Sequence, residues 1–433
     1  MKNSLLMPSR RRSALRTVPR RLASLALLVF ACQQAWAAPA EPPELPPSAI
    51  VRPLLEKAPA VGAARHELDA SEAQARQLRA GPHEWTVRGD LQQRTVRPEN
   101  DRRYGEYAAA LERGVRIGGK ADIDERLGAA GQEVSRWALG DAQHETARAV
   151  LAVWFDWLRA EDEVAARTRQ QALAAELARI AEVRLRQGDA ARLDLNLAQG
   201  AVAQAAAQLA SAEAKRTEVG AALDIRFPGL RPRAAVTLSE PGDPSGTHFD
   251  TEAMMSRNHE LAKARALSRQ AMLTAQRADA NRTPDPVLGV RFASDKGGDE
   301  RVLGLTVAIP IGGAARAAAS DSSLAMARAA AAQEAAIEAR VRTEAARELA
   351  AVRSSYQTWQ RLQAAATAQQ TATDMQEKAW KLGESSIADL LQARRTADEL
   401  HLAERLARID ALAAFHRWRL DAHELWDFDD DEH

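Results

Sequence analysis

The sequence has little cysteine, few aromatic residues and no long apolar run after its first 37 residues. Cys32 is the only cysteine among 433 residues, so no disulfide can form within the chain. Aromatic residues make up only 4% of the chain, which favours long helices packed through small side chains over a globular enzyme. No later stretch has 18 consecutive apolar residues, so the sequence predicts no transmembrane helix.

Sequence motifs of enzymes are also missing. The chain has no Gly-x-Ser-x-Gly motif and no phosphate-binding glycine loop. His144-Glu145 and His423-Glu424 lack the second histidine of a zinc-binding helix, and no His, Cys or Asp cluster has the spacing of metal ligands. We therefore expect no enzymatic activity, no cofactor and no metal site.

The charge is unevenly distributed. The net charge is +0, but residues 1–37 hold seven Lys or Arg and no acid, which leaves 59 − 7 = 52 basic and 59 acidic residues, or −7, in the remainder. A mildly acidic chain gives no reason to expect nucleic-acid binding.

The N-terminal segment is typical of an export signal. Basic residues up to Arg21 precede an apolar run of 11 residues at 22–32, followed by Ala-Trp-Ala at 35–37. Such a run is too short to span a bilayer and the tripeptide matches a cleavage site, so we expect a signal peptide over 1–37. The alternative is lipid attachment at Cys32, but the bulky Phe30 stands where a small residue is usual.

Two similar turns indicate an internal duplication. Gly188 is followed six residues later by Asp194, and Gly383 by Asp389. Both pairs are separated by the same offset, since 383 − 188 = 195 and 389 − 194 = 195. A repeated turn at one offset predicts two structural repeats, 38–231 and 232–433.

Each predicted repeat contains helices of unusual length. Residues 38–53 contain six prolines and are predicted to be extended. Patterns of period 3.6 then predict helices over about 62–80, 121–186, 193–225, 249–280, 314–382 and 387–425. The two longest would each extend ~100 Å, a length typical of coiled coils.

Alternation of apolar and polar residues predicts two strands in each repeat, over 85–96, 104–117, 287–295 and 301–311. One face carries residues such as Val87, Leu111, Val290 and Leu305. The other face carries charged residues, which we consider candidates for lining a pore: Arg88, Arg94, Glu106, Glu112 and Arg291.

The strand lengths match a tilted crossing of a bilayer. Four strands cannot close a barrel, and open sheet edges are not tolerated in hydrocarbon, so closure would need several chains; three would supply 12 strands. A soluble sheet with one solvated face is the alternative.

These features resemble the TolC-like outer-membrane efflux channels over nearly the whole chain after residue 37. The most specific matches are the two turns, Gly188 to Leu195 and Gly383 to Ala393, and the end of the last strand, Val307–Ile311. The run Arg116–Lys120 resembles the heavy-metal-efflux branch of the family. The resemblance implies a homotrimer with a 12-stranded β-barrel in the outer membrane of a Gram-negative cell and a long periplasmic α-helical tube.

The resemblance also assigns roles to the turns. It places them at the periplasmic tip, where a periplasmic adaptor (membrane-fusion) protein and an inner-membrane transporter engage the channel, with Gly188, Gly383 and Ser386 as contact residues. Asp389 matches the first of two aspartate rings that narrow the entrance in the family, and Gln392 replaces the second. Asp194 is its counterpart in the first turn. Ser386-x-x-Asp389 also fits a capping box, which is a purely structural explanation of Asp389.

We therefore expect a passive exit duct for substrates delivered by a tripartite efflux or secretion system. The alternative is a soluble periplasmic coiled-coil adaptor or scaffold, which would not need two strand pairs with an apolar outer face.

Overall fold

The computed structural model describes residues 41–97, 102–232 and 234–427. The predicted signal peptide over 1–37 and the alternative lipidation site at Cys32 lie outside these residues. Among the described residues, no helix combines the length and the apolar character needed to cross a bilayer.

The described chain is mainly α-helical. The helices are α1 (Ser48–Glu56), α2 (Pro59–Ala80), α3 (Lys120–Gln187), α4 (Arg192–Arg226), α5 (Thr251–Arg257), α6 (His259–Ala280), α7 (Ala314–Lys381) and α8 (Ile387–Asp421). The strands are β1 (Trp85–Val96), β2 (Arg102–Gly114), β3 (Val287–Asp295) and β4 (Glu300–Ala308).

Helices of equal length recur in the two halves of the chain. Both α3 and α7 have 68 residues, both α4 and α8 have 35, and both α2 and α6 have 22. At 1.5 Å per residue, the longest helices extend ~100 Å. The shorter α2 and α4 pack in succession along α3, as α6 and α8 do along α7.

The long helices pack with the seven-residue period of coiled coils. Buried residues of α7 recur at Ala345, Val352, Trp359, Ala366, Thr373 and Trp380. The same spacing links Ala198, Ala205 and Ala212 in α4. A strict seven-residue repeat keeps one stripe of an α-helix against its neighbour along a left-handed supercoil.

The largest apolar core lies near the middle of the helices. It includes Val51 and Leu55 from α1, Phe155 from α3, Leu223 from α4 and Ile409 from α8. The prediction that residues 38–53 are extended is wrong from Ser48 onward, where α1 begins. Pro53 lies inside α1 and removes one backbone donor, but full burial of Val51 and Leu55 outweighs that loss.

The four strands form one antiparallel sheet in the order β1-β2-β3-β4. Its register aligns Val87, Leu111, Val290 and Leu305 in one row across all four strands. The apolar residues of every strand therefore share a single face of the sheet.

Several boundaries differ from the sequence prediction. The helix predicted over 249–280 is divided into α5 and α6 at Asn258, whose backbone is extended and whose side chain accepts a hydrogen bond from the Leu261 amide at 2.9 Å. The strand predicted over 301–311 ends at Ala308, because Pro310 cannot donate to a sheet. The strand predicted over 104–117 spans Arg102–Gly114.

The last predicted helix, 387–425, ends at Asp421. His423 and Trp426, which follow it, have positive φ values of 59° and 52° that an α-helix cannot accommodate.

An ionic network joins the two halves where strands meet helices. The Lys120 Nζ donates to Asp285 Oδ1 at 2.6 Å, His83 Nε2 lies 2.8 Å from Asp285 Oδ2, and the Ile117 amide donates to Oδ1 at 3.2 Å. Arg116 donates to the carbonyls of Leu78 and Arg79 at the end of α2. The charged ends of the run Arg116–Lys120 are thus bonded within the chain.

Asp285 is strongly held in its charged form. Burial alone would raise the pKa of Asp285, but hydrogen bonds from Lys120, His83 and the Ile117 amide outweigh burial and lower its pKa to about 2. Its bonds therefore stabilise the fold fully above the pKa of the unfolded chain, and that contribution is lost as the pH falls from about 4 through about 2.

We expect Lys120→Met to destabilise this joint. The Lys120 side chain is only 1% exposed, and removing one partner of a buried ion pair costs ~3–5 kcal/mol. Denaturant unfolding of the detergent-solubilised protein, followed by circular dichroism, measures the loss. Lys215→Met is the control, because the exposed Lys215 pairs with Glu218 of its own helix and its loss should cost less than ~0.5 kcal/mol. Equal losses in the two variants would contradict the role of Lys120.

Candidate functional site

The two helical turns have the same backbone structure. At the first, the Gly188 amide donates to Leu185 O at 3.1 Å and the Asp189 amide to Arg184 O at 2.9 Å. At the second, the Gly383 amide donates to Trp380 O at 3.1 Å and the Glu384 amide to Ala379 O at 2.9 Å. Each pair of bonds is a Schellman motif, which needs positive φ; Gly188 and Gly383 have φ values of 83° and 82°.

The helices that follow the turns begin differently. Ser386 Oγ accepts from the Asp389 amide at 3.1 Å and donates to Asp389 Oδ2 at 2.7 Å, so Ser386 caps α8. Ala191 occupies the matching position before α4 with nearly the same backbone, φ −78° and ψ 154°, but has no side-chain acceptor. There, the Asp194 carboxylate accepts a bond from the Ala191 amide at 3.2 Å, and the Asp194 amide donates to the Ala191 carbonyl at 3.0 Å.

Contacts between the turns hold them side by side. The guanidinium of Arg184 lies 4.8 Å from the centre of the Trp380 ring and donates to the carbonyls of Trp380 and Lys381 at 3.3 and 3.4 Å. Leu177, Ala198 and Leu390 pack in an apolar cluster beside them. One side chain of the first turn therefore satisfies carbonyls at the end of the second long helix.

The residues predicted to lie at the entrance and a further acid of α8 differ in their exposure to solvent. Asp389 and Gln392 are exposed in the single chain, and Asp194 is half-buried. About two and a half turns beyond Asp389 along α8, burial raises the pKa of Asp398, although the charges of Arg394, His401 and Arg167 oppose the rise. Asp389 thus projects an acid into solvent while Asp398 lies in a drier environment.

The sheet exposes its apolar face. Leu91 of β1 is 89% exposed and Leu305 of β4 is 84% exposed, and neighbouring apolar residues of the same face are also exposed: Val87, Leu111, Val290 and Leu303. A continuous apolar face on a single chain indicates a surface that something else covers.

The opposite face carries charges that pair with one another. Glu106 is the most enclosed, with a side chain 1% exposed; it lies 3.0 Å from Arg94 and accepts from Gln92 at 2.8 Å and from the Lys296 amide at 3.2 Å. Glu112 is 3.7 Å from Arg88. Arg291 is exposed on this face. All five charged residues predicted from the strands lie on this one face, with Glu106 bonded inside the sheet rather than open to solvent.

The structure also assembles a group that the sequence did not indicate. His144, His259 and His423 place one ring nitrogen each within 4.8 Å of the others. They are separated by 259 − 144 = 115 and 423 − 259 = 164 residues, so spacing along the chain gives no signal. Only the packing of α3, α6 and the end of α8 brings them together.

The unequal caps predict a stabilising substitution, Ala191→Ser. The backbone of Ala191 already matches that of Ser386, so a serine there can accept a bond from the Asp194 amide in addition to the bond that this amide makes to the carbonyl of residue 191. We expect a gain of about 0.5–1 kcal/mol, and an equal loss in Ser386→Ala. Hydrogen exchange of the first turn of each helix measures both changes. Ala190→Ser, one residue outside the cap position, should leave the exchange rates unchanged; a gain there equal to that of Ala191→Ser would contradict the capping argument.

Comparison with known proteins supports this architecture. No family model and no curated protein matches the sequence. Among solved structures, the Campylobacter jejuni CmeC outer membrane channel aligns over 97% of this chain and 94% of its own, with a TM-score of 0.70 and 14% identity.

Two further solved structures have the same fold. A membrane protein from Pseudomonas aeruginosa has a TM-score of 0.70 and 18% identity over 86% of this chain and 92% of its own. The outer membrane protein VceC from Vibrio cholerae has a TM-score of 0.68 and 15% identity over 88% of this chain and 95% of its own. The chain therefore has the fold of the TolC-like outer-membrane channels, as the duplicated turns and the four alternating strands indicated.

Proposed function

We propose that the protein is the outer-membrane channel of a tripartite efflux or secretion system, a passive duct formed by three copies of the chain. The observation that carries the proposal is the apolar face of the sheet. It is exposed in a single chain, with Leu305 at 84%, and lies at one end of helices ~100 Å long. A soluble periplasmic adaptor, the alternative, has no need of such a face.

Trimer formation explains both the apolar face and the sheet edges. Strands β1 and β4 are the edges of the four-stranded sheet, and neither pairs on its outer side with any other strand in the described part of the chain. Three copies joined from β4 to β1 would close 12 strands, with the apolar face towards lipid and the charged face towards the lumen. Arg88, Arg94, Glu112 and Arg291 would then line the pore, and Glu106 would brace its wall.

The helical turns are the proposed periplasmic entrance and docking tip. Gly188, Gly383 and Ser386 shape these turns, which we infer contact a periplasmic adaptor protein coupled to an inner-membrane transporter. Exposed Asp389 would form a ring of three carboxylates, with Gln392 and Asp194 beside it. The three structures described above are a membrane protein, an outer membrane channel and an outer membrane protein, and their shared fold supports this assignment.

We further infer that the chain arose by tandem duplication, with repeats over 38–231 and 232–433. The equal lengths of α3 and α7, and of α4 and α8, support the inference. An export signal over 1–37 would deliver the chain across the inner membrane of a Gram-negative cell.

A charge on the lipid face tests the barrel. We expect Leu305→Arg to reduce membrane insertion and the yield of a heat-sensitive trimer on unboiled gels, because arginine near the bilayer midplane costs ~2–4 kcal/mol. Thr306→Arg is the matched control, since Thr306 is the next residue of β4 and faces the opposite side, close to Glu112. Wild-type protein that stayed soluble and monomeric without detergent would refute the channel and favour the adaptor.

The entrance acid is tested by ion selectivity. In planar bilayers under a salt gradient, Asp389→Ala should lower the preference for cations by about two-fold or more, because the ring loses three negative charges. Asp389→Asn separates the two roles of the residue: it retains an acceptor for Ser386 but removes the charge. If both variants keep wild-type selectivity, Asp389 only stabilises the start of α8.

A further inference from the structure

Three histidines from distant parts of the chain converge between the two halves. His144 lies in α3, His259 is the first residue of α6, and His423 follows the end of α8. One ring nitrogen of each lies within 4.8 Å of the other two. The ring centres of His259 and His423 are 4.8 Å apart, and those of His144 and His423 are 5.2 Å apart.

The cluster is shielded from solvent. The side chains of His144 and His423 are 12% and 5% exposed, and His259 is 7% exposed. The three rings border a cavity of about 20 Å³ that Asp427 also lines. This space is large enough for one water molecule or one ion but far too small for an organic ligand.

The first histidine is oriented by a buried carboxylate. His144 Nε2 lies 2.9 Å from Asp421 Oδ1, and Arg148 and Arg417 hold the same carboxylate at 2.6 and 2.9 Å. When Nε2 donates to Asp421, the lone pair of the ring is on Nδ1. A carboxylate behind a histidine is the arrangement that aligns imidazole ligands around metal ions.

The ring of His259 packs directly against Gly140, which has no side chain. A Cβ atom on Gly140 would lie 2.9 Å from Cδ2 and 3.0 Å from Nε2 of His259, closer than the ring allows. Any larger residue at 140 would therefore push His259 away from His144, which lies one turn further along α3.

His423 occupies the position in a Schellman motif that glycine occupies at the two helical turns. The His423 amide donates to Leu420 O at 3.0 Å and the Glu424 amide to Arg419 O at 2.8 Å, the bonding pattern of the turns at Gly188 and Gly383. All three positions have positive φ, and His423 has φ 59°. A side chain at this position strains the backbone, whereas glycine does not. Of these three Schellman motifs, the one that lies beside His144 and His259 has a strained histidine in place of glycine.

We propose that His144, His259 and His423 bind one divalent transition-metal ion of the zinc class. Neutral imidazoles suit Zn²⁺, Ni²⁺ and Cu²⁺. Tetrahedral zinc has bonds of about 2.0–2.1 Å to nitrogen, so ligand nitrogens lie ~3.4 Å apart, and rotations that move each ring by about 1 Å would close the cluster. Asp427, whose Oδ2 is 3.6 Å from His423 Nδ1, or a water supplies the fourth ligand.

The bound ion would fasten the end of α8 to both halves of the protein. His144 belongs to the first half, and His259 and His423 belong to the second. The site is a structural metal site. It does not depend on the proposed transport function, because it would form equally in a channel and in a soluble scaffold.

The test uses the full-length protein without a polyhistidine tag, purified in detergent and treated with EDTA. Zn²⁺ titration should give one site per chain and raise the melting temperature by about 3 °C or more. Co²⁺ should produce the visible absorption of a tetrahedral site. His423→Gly is the decisive variant, because glycine relieves the strain: the metal-free protein should be at least as stable as wild type, while Zn²⁺ affinity falls by about ten-fold or more.

His259→Gln should also abolish the Co²⁺ spectrum. His401→Gln is the control, since His401 bonds to Gln370 away from the cluster and should leave metal binding unchanged. The proposal is overturned if folded wild-type protein binds no Zn²⁺ or Co²⁺, or if His423→Gly and His259→Gln bind both ions as wild type does.

Discussion

Hydrocarbon contains no hydrogen-bond partners, and this constraint governs how the sheet can be used. The single chain presents four strands with one apolar face, and β1 and β4 each have an outer edge that pairs with nothing in the described structure. In lipid, such edges must be paired and such a face must point outwards. Both conditions are met when copies of the chain close a barrel. The proposed membrane location therefore requires the proposed oligomer.

The helical part is held together at both ends by side chains that cross between the halves. At the sheet end, Lys120 of the first half bonds to Asp285 of the second. At the turns, Arg184 of the first half covers Trp380 of the second. Between them, the three histidines join the same halves near the end of α8. These crossing contacts add to the apolar core near the middle of the helices, because the coiled-coil stripe of α7 buries mainly small side chains along its ~100 Å length.

Much of the fold could be predicted because its signals are local. The alternation of apolar and polar residues predicted β1 with the ends that the structure has. The turn glycines predicted where the chain reverses after each long helix. The prediction failed where tertiary contacts override local preference. Proline suggested an extended segment at 48–53, but burial of Val51 and Leu55 stabilises a helix there. Charge alternation placed Glu106 on the polar face of the sheet, but its bonds to Arg94, Gln92 and the Lys296 amide depend on how the strands and the β3–β4 turn pack.

The sequence by itself determined the element order, the duplicated design and the apolar and charged faces of the strands, because period and spacing are properties of the linear chain. Only the tertiary structure decided which charges pair across the halves and that His144, His259 and His423 meet. Residues more than 100 positions apart leave no periodic trace, and their contact depends on how ~100 Å helices align when they pack.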